Sequence, residues 1–278
     1  MGTPGPAQKQ EQKQKEVVVG TSGFSFLDWV GPFYPEGTRS KDMLEHYAAR
    51  FAAVEVNSTY YRIPPPKTME SLDRRTPAGF EFLVKAHQSM THEKAAPDAA
   101  TFDAFRACVE PLARVGKLRG VLLQFPWAFR PTLGARKRLD LLAEGLANLG
   151  PLFVEFRHAS WLTDKVFRYL EERAIGYCSV DEPALPGLVP GVARVTGDVG
   201  YVRLHGRNSK TWWGGGGDRY DYDYSPEELR EWVAKIRELA EKASKVYVFF
   251  NNCHAGQAAR NALLMRDMLQ QDLMAGVR

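Results

Sequence analysis

The chain has 278 residues, 44% hydrophobic and 25% charged, with a formal net charge of +4. These values suit one globular domain with a sizeable core and argue against a collagen-like, disordered or disulfide-stapled class. No run of about 18 apolar residues occurs, so no transmembrane helix and no membrane partner are expected. The mild positive charge permits anionic partners without requiring nucleic acid.

Residues 1–15 hold too little apolar area to offset ordering entropy and read as a disordered tail. They carry no signal-peptide pattern, so the cytoplasm is the default location. From residue 16 the pattern changes, and one domain is expected over 16–278. Runs of β-branched, aromatic and aliphatic residues predict strands at 16–21, 53–57, 80–85, 119–125, 152–157, 175–180, 200–205 and 245–251. Helical patterns are expected between them, at 40–51, 67–75, 98–115, 133–149, 164–173, 225–243 and 255–273. Pro64-Pro65-Pro66 can start a helix but not continue one. Ser225-Pro226-Glu227-Glu228 is a strong start signal, with an N-cap, a proline in the first turn and acids beside it. Residues 182–199, rich in Pro and Gly, leave the sixth helix missing or vestigial. Eight strands alternating with helices predict the α/β class and a single (β/α)8 barrel of the TIM type, with an open doubly wound sheet as the alternative.

Side chains on a strand alternate between two faces. Polar residues share a parity within each run: Glu55 with Asn57, Lys85 with His87, Glu155 with Arg157, Ser179 with Asp181, and Arg203 with His205. Gln124 and Asn251 end their strands, and Ser22 follows the first. The opposite parity (Val54, Val56, Val154, Phe156, Val202, Leu204) is apolar and suits a helix-facing layer. The polar set is therefore expected inside the barrel near its C-terminal mouth, where active sites of this architecture lie.

The expected site balances acids (Glu55, Glu155, Asp181) against bases (Lys85, Arg157, Arg203). Converging cations suit a substrate carboxylate or phosphate. Glu155 is the candidate general acid/base. Lys85 is either a Schiff-base nucleophile or the partner of Glu55 or Glu155 in an ion pair. Asp181 and His205 complete the candidate catalytic set. Ser22, Glu55, Asn57, Gln124, Arg157, Arg203, Asn251 and Trp212 are candidate substrate contacts. A metal held by Glu155, Asp181 and His205 would fit on ligand type, yet the three cations argue against it, and no metal or cofactor is assigned.

Two aromatic loops are expected over the mouth: Gly23 to Pro35, and Gly206 to Tyr224, which contains Trp212, Trp213 and Tyr220. Each serves either as a lid stacking on a ligand or as simple rim packing. His92, His158 and Trp161 could wall the pocket. Cys108, Cys178 and Cys253 are odd in number and far apart, which speaks against a disulfide framework or a zinc site. Motifs for common hydrolases, zinc proteases and dinucleotide enzymes are missing.

Several of these stretches together resemble the YecE-like family, a bacterial and archaeal domain of unknown function. They include Gly20-Thr21-Ser22-Gly23-Phe24, Val54-Glu55-Val56-Asn57-Ser58-Thr59-Tyr60-Tyr61, Leu123-Gln124-Phe125-Pro126 and Val154-Glu155-Phe156-Arg157-His158. Tyr201-Val202-Arg203-Leu204-His205-Gly206-Arg207 and Tyr247-Val248-Phe249-Phe250-Asn251-Asn252 belong to the same set. The resemblance runs from about residue 17 to the end. It implies a barrel of the triosephosphate-isomerase type and supplies no reaction.

Three functions follow as expectations. The first is an enzyme acting on a small polar or anionic molecule, by hydrolase, isomerase or lyase chemistry. The second is a metal-dependent phosphoesterase or nuclease, and the third a non-catalytic ligand- or nucleic-acid-binding module. The oligomeric state is not legible.

Overall fold

In a computed structural model, residues 16–214 and 216–275 are described; the expected N-terminal tail lies outside them. Eight strands form one parallel sheet: β1 (Glu16–Thr21), β2 (Ala53–Val56), β3 (Glu81–Lys85), β4 (Leu118–Gln124), β5 (Leu152–Glu155), β6 (Gly176–Asp181), β7 (Val199–Leu204) and β8 (Lys245–Phe250). Their order is β1-β8-β7-β6-β5-β4-β3-β2. One further bridge, Ser22 to Glu55, joins the two ends of that order. The expected TIM-type barrel is thus the fold.

Five longer helices cover the outside: α3 (Pro66–Arg74), α5 (Ala99–Arg114), α6 (Leu133–Gly145), α8 (Pro226–Lys242) and α9 (Gln257–Ala275). Shorter ones are α1 (Met43–Ala48), α2 (Ser58–Tyr61), α4 (Gln88–Thr91) and α7 (Asp164–Glu171). Helix starts follow local chemistry. Asp98, Thr132 and Thr163 each accept a first-turn amide, and Ser225 with Glu228 closes a reciprocal capping box before α8.

No helix joins β6 to β7, as the Pro and Gly content predicts. The intervening chain lies along β6 instead. The Tyr177 amide donates to Thr196 Oγ1 at 2.7 Å, and the Arg194 amide donates to Ser179 Oγ at 3.2 Å.

The strands separate two apolar cores. The larger, which includes Val54, Val154, Phe156, Val202 and Leu204, lies between sheet and helices. The smaller fills the barrel with Leu83, Leu122, Phe153, Cys178, Tyr201 and Phe249. Below it, Glu81 accepts from Lys245 Nζ (2.8 Å) and the Tyr247 hydroxyl (2.9 Å), and this ionic plug fills the N-terminal end. Above it lie the polar residues near the C-terminal strand ends.

At the seam between β1 and β2 the strands approach closely. A Cβ on Gly20 would lie 2.4 Å from the Ala53 carbonyl oxygen, a gap only glycine fits. The Tyr47 hydroxyl is inserted there: it accepts from the Thr21 amide at 2.9 Å and donates to the Ala53 carbonyl at 3.1 Å.

Candidate functional site

A buried ionic network sits on the apolar interior layer. Glu155, at the end of β5, accepts from Arg157 Nε at 2.5 Å on one oxygen and from Arg203 Nη1 at 2.6 Å on the other. Arg203 Nη2 reaches Glu55 Oε1 at 2.7 Å and lies 3.4 Å from Ser22 Oγ. The Tyr201 hydroxyl donates to the second Glu55 oxygen at 2.5 Å. Asn251 Nδ2 lies 3.0 Å from His205 Nδ1, and His205 Nε2 stands 3.2 Å from Glu155 Oε1 and 3.1 Å from Arg157 Nη2. Glu182, just past β6, accepts from Arg157 Nη1 at 3.0 Å and from the Val189 amide at 2.9 Å.

Buried charge is tolerated only when it is paired, and here each carboxylate oxygen of Glu55, Glu155 and Glu182 has a donor. Burial acts to raise the Glu155 carboxyl, but Arg157, Arg203 and His205 outweigh it and hold the group well below the usual carboxylate range. Burial, then Arg157, drives the His205 imidazole down to about 3, so the ring is neutral at neutral pH. For Glu182 burial wins over Arg157 and pushes the carboxyl up to about 7.

Above this network opens a cavity of about 550 Å³, a size that suits a small organic ligand. Its floor holds Lys85, Gln124 and Arg157; its walls include Tyr60, His92, Trp127, Trp212, Trp213, Arg219 and Tyr220. No Asp or Glu is among the described residues that line it. The cations face the cavity and their carboxylates lie beneath them: side chains of Glu155 and Glu182 are 0% exposed, against 11% for Arg157.

Lys85 differs from every other cation of the network. Its Nζ donates to the neutral Gln124 Oε1 at 2.7 Å and stands 4.1 Å from the centre of the Tyr60 ring. Gln124 is itself fixed, because its Nε2 donates to the Phe125 carbonyl at 2.8 Å. Burial first, then Arg203, lowers the Lys85 amine to about 7; Glu155 and Glu55 oppose that shift without cancelling it.

The family model for "Protein of unknown function DUF72" matches residues 18–276. The chain belongs to this family. YecE-like is a variant name for it. The curated UPF0759 protein YunF of Bacillus subtilis is 31% identical over 274 residues, covering 91% of this chain and 94% of that protein. A solved DUF72 structure from Thermotoga maritima matches with a TM-score of 0.86 and 40% identity, covering 92% of this chain and 99% of that one. Another DUF72 structure, from Enterococcus faecalis, gives 0.83 at 26% identity, covering 91% and 95%.

Within this DUF72 barrel the candidate residues separate into three groups. Lys85, Gln124, Arg157 and Trp212 line the cavity. Ser22, Glu55, Glu155, Arg203 and His205 are buried beneath it. Asn251 holds His205, and Asn57 keeps a buried Oδ1 with no partner among the described residues.

Asp181 stands apart, and its interior placement is corrected. It faces the helix side of β6, where it accepts from Trp232 Nε1 (2.8 Å), the Tyr224 hydroxyl (2.6 Å) and Arg207 Nε (3.0 Å). Glu182 takes the interior position, one residue on. Glu155, Asp181 and His205 therefore do not converge on a metal, and no three His, Cys, Asp or Glu among the described residues are grouped to hold one.

Two further expectations change. Lys85 forms no ion pair with Glu55 or Glu155, since its partner is Gln124. The Gly23–Pro35 loop does not cover the mouth. Its Trp29 and Tyr34 are buried, with Trp29 Nε1 donating to the Cys253 carbonyl at 2.7 Å. Trp161 likewise stacks on Phe156 below the rim, ring centres 4.1 Å apart. By contrast, the second loop does line the cavity, with Trp213 edge-on to Trp127 at 5.6 Å.

Tyr60, Trp127, Arg219 and Glu182 join the site without being candidates from the sequence. Tyr60 and Trp127 each follow the polar end of a strand by three residues or so, and that position was the available signal. Nothing in the sequence marks Arg219.

Proposed function

We propose that this DUF72 protein is an enzyme that binds a small anionic organic molecule at the barrel mouth. One observation carries the reading: the cavity floor presents Lys85 and Arg157, while the carboxylates that neutralise the network lie underneath. An anion entering the cavity meets cations, and no acid among the described lining residues competes. Arg157 has five N–H bonds and uses at most three on Glu155, Glu182 and His205, so at least two remain for a ligand. The aromatic walls would pack on its apolar part. Glu155, enclosed and doubly paired, serves as the counter-ion that orients Arg157 and Arg203. Proton transfer falls to groups that reach the cavity, Lys85 first among them.

A panel of carboxylates and phosphates, each paired with its neutral amide or alcohol, tests this by thermal shift and native mass spectrometry. Anions are expected to bind, and Lys85→Met to weaken them about tenfold, the worth of one charge-assisted hydrogen bond. Equal binding of the neutral partners would remove the proposal.

A further inference from the structure

We infer that Lys85 is an amine nucleophile, and that the substrate class is an anionic aldehyde or ketone which forms an imine with its Nζ. The inference rests on the anion-binding reading above and names the reacting group within it.

The geometry is specific. Lysine near buried acids ordinarily pairs with one, and a carboxylate locks it as an ammonium. Lys85 has an amide oxygen as its polar partner instead, Gln124 Oε1 at 2.7 Å, and that amide is held in place by its own bond to the Phe125 carbonyl. The nearby carboxylates are consumed elsewhere: Glu155 by Arg157 and Arg203, Glu55 by Arg203 and Tyr201. Burial is the main cause that disfavours the Lys85 ammonium; Arg203 and, more weakly, Arg157 add to it, while Glu155 and Glu55 oppose it without cancelling it. Desolvation beside other cations is how an enzyme keeps an amine neutral and nucleophilic. The shift to about 7 agrees with that placement. At pH 7 about half of such an amine is neutral, against roughly 0.04% of an exposed lysine.

The step balances without any other reactant. The Nζ lone pair forms the C–N bond, and the carbonyl π pair moves to oxygen. Both amine hydrogens leave with that oxygen as water, and the C=N bond remains. Arg157, on the same cavity floor, receives the carboxylate or phosphate.

The test uses the full chain at pH 7 with 4-carboxybenzaldehyde and sodium cyanoborohydride, followed by intact mass and peptide mapping. The matching alcohol, 4-(hydroxymethyl)benzoate, is titrated in parallel by tryptophan fluorescence, since Trp127, Trp212 and Trp213 line the cavity. Support is one adduct at Lys85, with a mass gain of the aldehyde less one oxygen. It should form on the order of a thousandfold faster than at exposed lysines, the ratio of the two neutral fractions, be slowed by the alcohol and be lost in Lys85→Met. If the alcohol binds and the aldehyde leaves Lys85 unmodified, the imine is refuted and the anion pocket stands. Labelling spread evenly over the lysines also refutes it. If neither compound binds, both readings fall.

Discussion

At Glu155 two guanidinium groups and an imidazole share one carboxylate that has no exposed surface. Removing its charge leaves Arg203 with Glu55 alone and Arg157 with Glu182 alone as carboxylate partners in a low-dielectric interior. Glu155→Gln is therefore expected to cost about 3–5 kcal/mol of stability, the usual penalty for breaking a buried pair from one side. Chemical denaturation would measure it, and a loss below about 1 kcal/mol would contradict the counter-ion role. The sign with pH is also fixed. This carboxyl titrates lower in the folded chain than in the unfolded one. As pH falls below the ordinary glutamate range, the unfolded chain takes up the proton first, and stability is lost until the folded value is passed. Wild-type stability should fall on that acid limb more steeply than that of Glu155→Gln.

Among elements, β6 carries Ser179 and Asp181 on its outer face, and its covering explains why. A strand packed under a helix needs an apolar outer face. β6 lies instead under an irregular segment: Ser179 accepts the segment's Arg194 amide, and the segment's Thr196 accepts the Tyr177 amide of β6. Asp181, on the same face, gathers Trp232 of α8 with Arg207 and Tyr224 of the cavity loop. Asp181→Ala is expected to destabilise the chain by on the order of 3 kcal/mol, because it removes several bonds to one charge. It should also loosen the loop that carries Trp212, seen as weaker protection of that tryptophan from an acrylamide quencher. Unchanged quenching would mean the loop is held elsewhere.

This strand also shows where sequence stops being legible. Parity placed Glu55, Lys85, Glu155, Arg157, Arg203 and His205 inside the barrel because the alternate residues were plainly apolar. In Ser179-Val180-Asp181-Glu182 both parities carry acids, so alternation cannot choose between Asp181 and Glu182. The missing helix was readable from Pro and Gly, and it releases the outer face of β6 from the apolar rule. Depth is hidden as well: nothing in a strand pattern says that Arg157 shields Glu155, or that Lys85 takes Gln124 and not an acid as its partner.

For the whole molecule, the barrel is stratified along its axis. An ionic plug around Glu81 fills one end, an apolar layer follows, a paired network rests on it, and the cationic cavity opens at the other end. That layering is what lets one end carry chemistry while the rest bears packing, as in barrels generally.

The eight staves are not joined with equal strength. Where β1 meets β2, a phenol stands in for part of the backbone ladder. Tyr47→Phe would orphan an amide and a carbonyl in the interior, for about 1–3 kcal/mol. Opening of the ring should begin at that join, with the Thr21 amide exchanging its hydrogen with solvent well before those of β7 and β8. The lip of the cavity near Ser22 and Glu55 would loosen with it, which makes a tyrosine outside the barrel a determinant of how firmly the mouth keeps its shape.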